Sequence, residues 1–293
     1  MIFPSVTTKL VFLLGYPLGH SVSPAMHNHV FNKLNLDYCY IPVEVTPENL
    51  GPVFSGLSKI NTGGFNVTIP HKIAILEYLD EIDPLAEKIG AVNTICLNNG
   101  KTKGYNTDGE GFVQSLEEKG NLTVEGKKIF ILGCGGAVRA IAMTLAFRGA
   151  GQIYICNRTQ SKAEHLAREI NKQITECATA VEPVESTIAT HLNTCDILIN
   201  GTRLGMHPHT DTSPIDGSLL SPHLVVADIV YNPLMTRLLR DAEQCGCTTV
   251  DGLGMLVFQG AAAFSLWTGK TPLIDEMKTL VYDLVKPQSC SSG

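Results

Sequence analysis

The stretch Lys128-Ile-Phe-Ile-Leu-Gly-Cys-Gly-Gly-Ala137 decides the fold, because a dense apolar run ends there in a glycine-rich turn. A segment of small residues with helical character, 137–148, follows it. Glycine permits a tight turn and lets backbone N–H groups approach a pyrophosphate, and the N-terminus of the following helix favours an anion. This context predicts a dinucleotide-binding turn formed by Gly133, Gly135, Gly136 and Ala137. Val138 takes the place of the third glycine of G-x-G-x-x-G, and we expect Gly136, Ala137 and Ala140 to allow close helix packing instead.

The end of the next apolar run indicates which dinucleotide binds. NAD-specific folds place Asp or Glu about 20 residues after the glycine turn, where the carboxylate binds the ribose hydroxyls. This chain has Asn157-Arg158-Thr159 there, with Lys162 one turn later. An arginine and a lysine can bind the 2′-phosphate of NADP, so NADP is favoured over NAD. The alternative is that Arg158 and Lys162 only form the solvated start of a helix.

Outward from this stretch, short apolar runs alternate with amphipathic segments, which is typical of an α/β architecture. We predict strands at 10–15, 39–45, 64–69, 91–97, 128–133, 153–156, 196–200 and 225–229, with a short last strand near 249. Helices are predicted at 24–34, 47–57, 71–78, 109–119, 137–148, 162–170, 255–267 and 272–285. The polar link at 120–127 divides two domains. Residues 1–120, completed by about 254–293, would form an N-terminal α/β substrate-binding domain, and 121–253 a Rossmann-type NADP domain.

The composition excludes several classes of protein. With 293 residues, 44% hydrophobic and 17% charged, the chain can bury two cores. A net charge of −6 without long like-charge runs argues against a nucleic-acid partner. No apolar run reaches the roughly 18 residues of a membrane span, and no secretory signal is recognisable, so we expect a cytoplasmic protein. The nine cysteines have no zinc-like spacing, so we expect free, mostly buried thiols and no metal.

Several polar residues in the N-terminal half are candidates for chemistry. Ser21 and Ser23 stand two apart and would share a face of an extended chain, although Ser23 before Pro24 could simply cap a helix. In the predicted strand at 64–69, Phe65, Val67 and Ile69 would face one side, and Asn66 and Thr68 the other, which suggests a polar cleft.

Each of the further candidate residues is ambiguous when it is considered alone. Lys72 stands at the start of a predicted helix, where its charge opposes the helix dipole, although it could be an ordinary surface lysine. Asp108 could cap the helix that follows it, and Asn93 could hold a turn. Tyr231 follows an apolar strand at the carboxyl end, where α/β sheets place ligands. Gln259 lies in an otherwise apolar helix and needs hydrogen-bond partners.

Taken together, these segments resemble the shikimate dehydrogenase family over nearly the whole chain. The matching motifs, in order, are G-x-P-x-x-H-S-x-S-P at 15–24, N-V-T-x-P-x-K at 66–72, G-A-V-N-T at 90–94, G-x-N-T-D-G at 104–109, the G-x-G-G-A turn, N-R-T at 157–159 and D-G-x-G-M-L…Q-G at 251–260. The resemblance implies an NADP-dependent, reversible reduction of a cyclohexene ketone, 3-dehydroshikimate, to shikimate in aromatic amino-acid biosynthesis. It also implies that the C-terminal helices return to the first domain.

The resemblance assigns roles at the matching positions. Lys72 and Asp108 would be the catalytic pair, because the alkoxide formed on reduction needs a proton and a nearby positive charge. The substrate-binding residues would be Ser21, Ser23, Asn66, Thr68, Asn93, Tyr231 and Gln259, with Asp108 also binding a ring hydroxyl. The NADP-binding residues would be Gly133, Gly135, Gly136, Ala137, Asn157, Arg158, Thr159 and Lys162, with Thr202, Met206 and Gly252 near the nicotinamide.

Alternatives remain open at this point. A member of the same family could accept quinate as well as shikimate, using NAD or NADP, and an aminoshikimate enzyme is a further option. A ligand-sensing member without turnover is less favoured, because both Lys72 and Asp108 are present. The sequence leaves open whether the protein is a monomer or a homodimer, and what Arg139 does.

Overall fold

The structure is a computed structural model, and it describes residues 4–19 and 21–286. The chain divides into two compact units. Unit 1 contains the described residues up to Gly111 together with Val257–Leu280, and unit 2 contains Phe112–Leu256 and the described residues after Leu280. The predicted α/β class with C-terminal helices that return to the first unit is therefore confirmed. His20 of the first motif, the residues before Pro4 and Cys290 lie outside the described residues.

Unit 1 is built on a mixed six-stranded sheet. Its elements are β1 (Lys9–Gly15), α1 (Ser23–Lys33), β2 (Tyr38–Glu44), α2 (Leu50–Leu57), β3 (Thr62–Val67), β4 (Glu81–Ile82), α3 (Pro84–Ile89), β5 (Thr94–Asn98), β6 (Lys101–Tyr105) and the start of α4 (Asp108–Gly120). The strand order is β2-β1-β3-β5-β6-β4, with β1 parallel to β2 and β3, and β5 antiparallel to β3 and β6. One apolar core includes Leu14, Phe65, Val67 and Ile95, so one side of β3 is fully covered.

Two expectations for the segment after β3 were wrong. No α-helix spans 71–78; a series of turns leads instead to a 3₁₀ helix at Ala74–Tyr78. The side chain of His71 is tied back to the carbonyl oxygen of Val45 at 2.6 Å, which holds this segment as a turn. Ile69 is 66% exposed, because β3 already ends at Val67 and the alternation of faces ends with it. Lys72 therefore lies in a turn and does not oppose a helix dipole.

Unit 2 is a parallel six-stranded sheet with helices between its strands. After α4 its elements are β7 (Lys128–Leu132), α5 (Gly136–Phe147), β8 (Gln152–Cys156), α6 (Gln160–Gln173), β9 (Ala178–Val181), α7 (Glu185–Leu192), β10 (Ile197–Asn200), β11 (Val225–Asp228), α8 (Arg237–Gln244) and β12 (Thr248–Val250). The order β12-β11-β10-β7-β8-β9 is the doubly wound order of dinucleotide-binding sheets. Helices α9 (Gly252–Thr268) and α10 (Ile274–Val285) follow.

The elements that periodicity missed are mostly short. They are β4, α3, β6, β9, α7 and α8. Helix α3, for example, has only six residues and is defined by its ends. The carboxylate of Asp83 accepts from the N–H groups of Leu85 and Ala86, and Gly90 ends the helix at φ 71°. No helix in residues 4–19 and 21–286 is long and apolar enough to cross a membrane.

Candidate active site

Lys72 and Asp108 form an ion pair in unit 1, although 36 residues separate them. Lys72 Nζ donates to Asp108 Oδ2 at 2.5 Å, with side-chain exposures of 28% and 10%. The lysine lies in the turns after β3, and the aspartate is the first residue of α4. The pair places a cation on a partly exposed surface and its counter-charge beneath it.

Asp108 does not use its side chain to cap α4. Its N–H group donates instead to Asn106 Oδ1 at 3.1 Å, so Asn106 occupies the capping role. The carboxylate of Asp108 is thereby left to bind Lys72 through Oδ2 and Asn93 through Oδ1.

Asn93 lies at the centre of this cluster and is 3% exposed. Its Nδ2 donates to Asp108 Oδ1 at 2.8 Å and Thr107 Oγ1 at 2.9 Å, with Gln259 Oε1 at 3.5 Å. Its Oδ1 accepts from the N–H of Thr107 at 2.8 Å. Asn93 therefore holds the catalytic candidate Asp108, and it is not merely a turn residue.

Asn66 lies on β3 beside this cluster and is 7% exposed. Its Nδ2 donates to the carbonyl oxygen of Asn93 and to Thr94 Oγ1, both at 3.0 Å. Its Oδ1 accepts from the buried hydroxyl of Tyr40 at 2.8 Å. Asn66 is a predicted substrate residue, whereas Tyr40 and Thr94 were not predicted. The only sequence signal for Thr94 was the N-T pair of the motif at 90–94, and Tyr40 had none.

The two serines lie at the beginning of α1. The helix starts at Ser23 itself and has no side-chain cap, so the expectation that Ser23 could serve as an N-cap is not met. The N–H of Ser23 lies 3.4 Å from Ser21 Oγ. Both serines are half-buried.

Three other predicted substrate residues are not bound into the Asp108 network as tightly. Thr68 follows β3 and is half-buried, with its Cγ2 packed closely against Gly15. Gln259 lies half-buried on α9 and is 3.5 Å from Asn93 Nδ2. Tyr231 belongs to unit 2, follows β11 and is 42% exposed.

The glycine turn of unit 2 has the shape expected for a dinucleotide. Gly133 has φ +107°, a conformation that side chains disfavour, and a Cβ there would lie 3.0 Å from the carbonyl oxygen of Gly201. Gly135 is the N-cap of α5 without a side-chain cap bond, and the space in front of Gly135 and Gly136 is open. The first-turn N–H groups of α5 therefore have no side-chain cap, and no side chain at Gly135 or Gly136 blocks the approach of a pyrophosphate.

Room for the bulky Val138 comes from another glycine. A Cβ on Gly201 would collide with Val138 Cγ2, so the missing side chain at Gly201 accommodates the valine. The expectation that Gly136, Ala137 and Ala140 supply this room overlooked Gly201, which follows β10.

Burial raises the pKa of the Cys134 thiol, which lies in the glycine turn, to about 11, an effect that Lys162 partly offsets. The eight described cysteines are free, although Cys39, Cys134 and Cys245 are only half-buried.

The residues at the end of β8 fit a phosphate group. Asn157 Nδ2 donates to the carbonyl oxygen of Thr159 at 2.9 Å, which shapes the bend. Arg158, Thr159 and Lys162 are exposed there. Arg139, by contrast, binds Glu169 with both terminal nitrogens. The role of Arg139, which the sequence left open, is therefore an ion pair between α5 and α6.

The loop after β10 carries Thr202 and the 39% exposed Met206. Thr202 Oγ1 donates to Asn200 Oδ1 at 2.8 Å, and Asn200 Nδ2 donates to Asp228 Oδ1 at 3.0 Å. Burial raises the pKa of Asp228, although hydrogen bonds from Val230, Asn200 and Thr236 act in the opposite direction. Sequence reasoning missed Asn200 and Asp228, whose signal is a polar residue at the carboxyl end of each of two apolar strands.

Gly252 opens α9 in a close backbone contact. A Cβ there would lie 2.6 Å from the carbonyl oxygen of Ile229 and 2.7 Å from that of Val230. The next turn is fixed by Asp251, whose Oδ1 accepts from the N–H of Leu253 at 3.0 Å. A glycine is therefore required at this position for steric reasons, whatever ligand lies nearby.

Comparisons with known proteins identify the family to which the chain is similar. Residues 13–95 match the family model of the shikimate dehydrogenase substrate binding domain, 115–229 that of shikimate / quinate 5-dehydrogenase, and 252–282 that of the shikimate 5′-dehydrogenase C-terminal domain. A shikimate dehydrogenase (NADP(+)) of Methanopyrus kandleri is 45% identical over 94% of this chain and 96% of its own length.

Solved structures agree as well. A shikimate dehydrogenase in complex with NADP+ is 44% identical with a TM-score of 0.89, covering 97% of this chain and 98% of its own. Shikimate 5-dehydrogenase from Listeria monocytogenes, in complex with shikimate and NAD, is 37% identical with a TM-score of 0.92, covering 96% of this chain and 99% of its own.

Proposed function

The chain belongs to the shikimate dehydrogenase family, and from this premise we propose that it catalyses the reversible NADP-dependent reduction of 3-dehydroshikimate to shikimate. The observation that carries the proposal is the Lys72–Asp108 pair, held by Asn93 beside Asn66 in a partly exposed polar cluster. The corresponding role in the cell is aromatic amino-acid biosynthesis in the cytoplasm. The domain roles follow: residues 1–120 with about 254–293 bind substrate, and 121–253 bind NADP.

Lys72 is the proposed proton donor in reduction. NADPH, held by the residues of unit 2, would supply the hydride for reduction of the ketone. The Lys72 ammonium stabilises the developing oxyanion and gives it a proton, and the neutral amine takes the proton back in the oxidation direction. Asp108 fixes the lysine through a charge-assisted hydrogen bond, and Asn93 fixes Asp108 in turn.

The remaining side chains bind and orient the substrate. We assign the hydroxyl groups of Ser21 and Ser23 to the substrate carboxylate, because they lie at the N-terminus of the eleven-residue α1. Asn66, Thr68 and Gln259 are assigned to the ring hydroxyls. Tyr231 contributes a further phenolic hydroxyl to substrate binding.

The cofactor residues belong to unit 2. The turn at Gly133–Ala137 is proposed to hold the pyrophosphate through the free N–H groups of α5. Asn157 and Thr159 shape the bend that presents Arg158, which with Lys162 would hold the 2′-phosphate of NADP. Thr202, Met206 and Gly252 are assigned to the nicotinamide side.

The experiment is a four-way assay of the purified protein, with shikimate or quinate as substrate and NADP or NAD as cofactor, following nicotinamide absorbance. Fast turnover with shikimate and NADP alone is expected. Comparable activity with quinate, or a preference for NAD, would replace the proposal by a dual-specificity enzyme. Tight ligand binding without turnover would make the protein a sensor. Sedimentation of the same sample decides between a monomer and a homodimer.

A further inference from the structure

Thr94 occupies a position that no substrate role explains. It is fully buried at the start of β5, and the antiparallel register of β3 and β5 pairs it directly with Asn66. Its hydroxyl accepts from Asn66 Nδ2 at 3.0 Å and lies 3.1 Å from Asn93 Oδ1. One buried hydroxyl group therefore connects two amides that the proposed function places around the substrate.

Backbone groups settle which way each amide points. Asn66 Nδ2 donates to the carbonyl oxygen of Asn93, so this atom must be the nitrogen. Asn93 Oδ1 accepts from the N–H of Thr107, so that atom must be the oxygen. Thr94 consequently accepts from Asn66 and sends its own proton towards Asn93 Oδ1, either directly or through the Thr107 hydroxyl at 3.2 Å.

The donors and acceptors then run in one direction through the cluster. The Tyr40 hydroxyl donates to Asn66, Asn66 to Thr94, Thr94 to Asn93, and Asn93 to the carboxylate of Asp108. A chain in which every group donates to the next is mutually polarised, and it ends here on a carboxylate that can only accept.

We infer that Thr94 is a positioning residue, whose hydroxyl couples the substrate-binding amide of Asn66 to the amide of Asn93 that orients the catalytic Asp108. This inference rests on the proposed function. Removal of the hydroxyl leaves Asn66 Nδ2 with one acceptor and deprives Asn93 Oδ1 of a donor. Both amides then gain freedom to rotate, so substrate binding and the orientation of the Lys72–Asp108 pair suffer together.

The test compares two substitutions that separate the hydroxyl group of Thr94 from its methyl group. Thr94→Val removes the hydroxyl, and Thr94→Ser keeps it. A control, Thr102→Val, removes another buried threonine hydroxyl of the same sheet, which bonds only to Asp80 among the described residues. The measured quantities are kcat, KM for shikimate and KM for NADP of the full chain.

For Thr94→Val we expect KM for shikimate to rise and kcat to fall by about tenfold each, because two buried hydrogen bonds are lost, one to each amide, and each loss corresponds to about a tenfold effect. KM for NADP should stay within about twofold, and Thr94→Ser and Thr102→Val should resemble the unchanged protein. If Thr94→Val only lowers the melting temperature and leaves KM and kcat unchanged, Thr94 is merely structural and the inference is overturned.

A second measurement needs no folded valine variant. In the unchanged protein, the side-chain NH₂ groups of Asn66 and Asn93 should exchange with solvent much more slowly than that of the exposed Asn35, as followed by NMR. Exchange as fast as at Asn35 would overturn the chain of hydrogen bonds. Absence of shikimate turnover in the unchanged protein would count against the proposed function, while fast exchange at Asn66 or Asn93 would count against the hydrogen-bond chain through Thr94 alone.

Discussion

The buried His27 should make unit 1 sensitive to acid. Its imidazole is fully buried, stacks on Tyr40 with ring centroids 4.7 Å apart and approaches Trp267 at 5.2 Å. Neither ring nitrogen has a hydrogen-bond partner in the described part of the chain. Burial therefore lowers the pKa of His27 from 6.5 to about 3. In the folded protein the ring stays neutral where the unfolded chain is already protonated.

The size and sign of the effect follow from proton linkage. Below pH 6.5 the unfolded chain binds one more proton than the folded one, so stability is complete above this value and declines as pH falls towards 3. Acidification from about pH 7.5 to about pH 5 ends roughly 1.5 pH units below the pKa of His27 in the unfolded chain. His27 should therefore lower the free energy of unfolding by about 2 kcal/mol over this range. Other titrating groups contribute equally to variants that differ only at His27.

The assay is urea unfolding of the unchanged protein and His27→Leu at both pH values. Trp267 is the only tryptophan in the chain and lies beside His27, so its fluorescence reports unit 1. The stability difference between the two proteins should change by about 2 kcal/mol in favour of leucine on acidification. The control is His209→Gln, which replaces an exposed imidazole by an amide and should not change the difference in stability between the two pH values. Parallel pH dependences for His27→Leu and the unchanged protein would refute the reasoning.

Three further predictions concern catalysis, cofactor choice and packing. Lys72→Ala should lower kcat by about 10²–10⁴-fold in steady-state kinetics, while the affinity for shikimate, measured by calorimetry, changes only a few-fold. An equal loss of affinity would make Lys72 structural, and the control is Lys59→Ala, at an exposed lysine. Arg158→Ala should raise KM for NADP by about 10- to 100-fold and leave KM for NAD unchanged, because a charge-assisted bond to the 2′-phosphate is lost. The control Arg168→Ala, at an exposed arginine of α6, should change neither value, and a parallel rise of KM for NAD in Arg158→Ala would contradict the assignment. Gly64→Ala should lower the free energy of unfolding by about 1–3 kcal/mol, because a Cβ there collides with the Trp267 ring and lies 2.6 Å from the carbonyl oxygen of Ile95. Gly56→Ala, where the space is open, should not destabilise the protein, and equal effects of both substitutions in chemical denaturation would disprove the steric explanation.

Local sequence identified the features that local physics controls. The alternation of apolar and amphipathic segments was sufficient for the α/β class, because side-chain periodicity is a property of each element. The glycine turn before α5 was recognisable because positive φ and free N–H groups depend on a few adjacent residues. Local sequence failed at 71–78, where a contact from His71 to a distant carbonyl oxygen replaced the expected helix.

Only the tertiary structure could decide how the site is assembled. Asn66, Thr94 and Asp108 meet because the register of β3 with β5 and the return of the chain into α4 bring them together. Sequence spacing contains no information on that register, so it could not predict that Tyr40 contacts Asn66. Nor could it predict the pairing of Arg139 with Glu169, which joins α5 and α6 in unit 2. The sequence by itself thus determined which residue types were present for the chemistry. The strand pairing determined which of them became neighbours, because hydrogen bonds form only between groups within about 3 Å of each other.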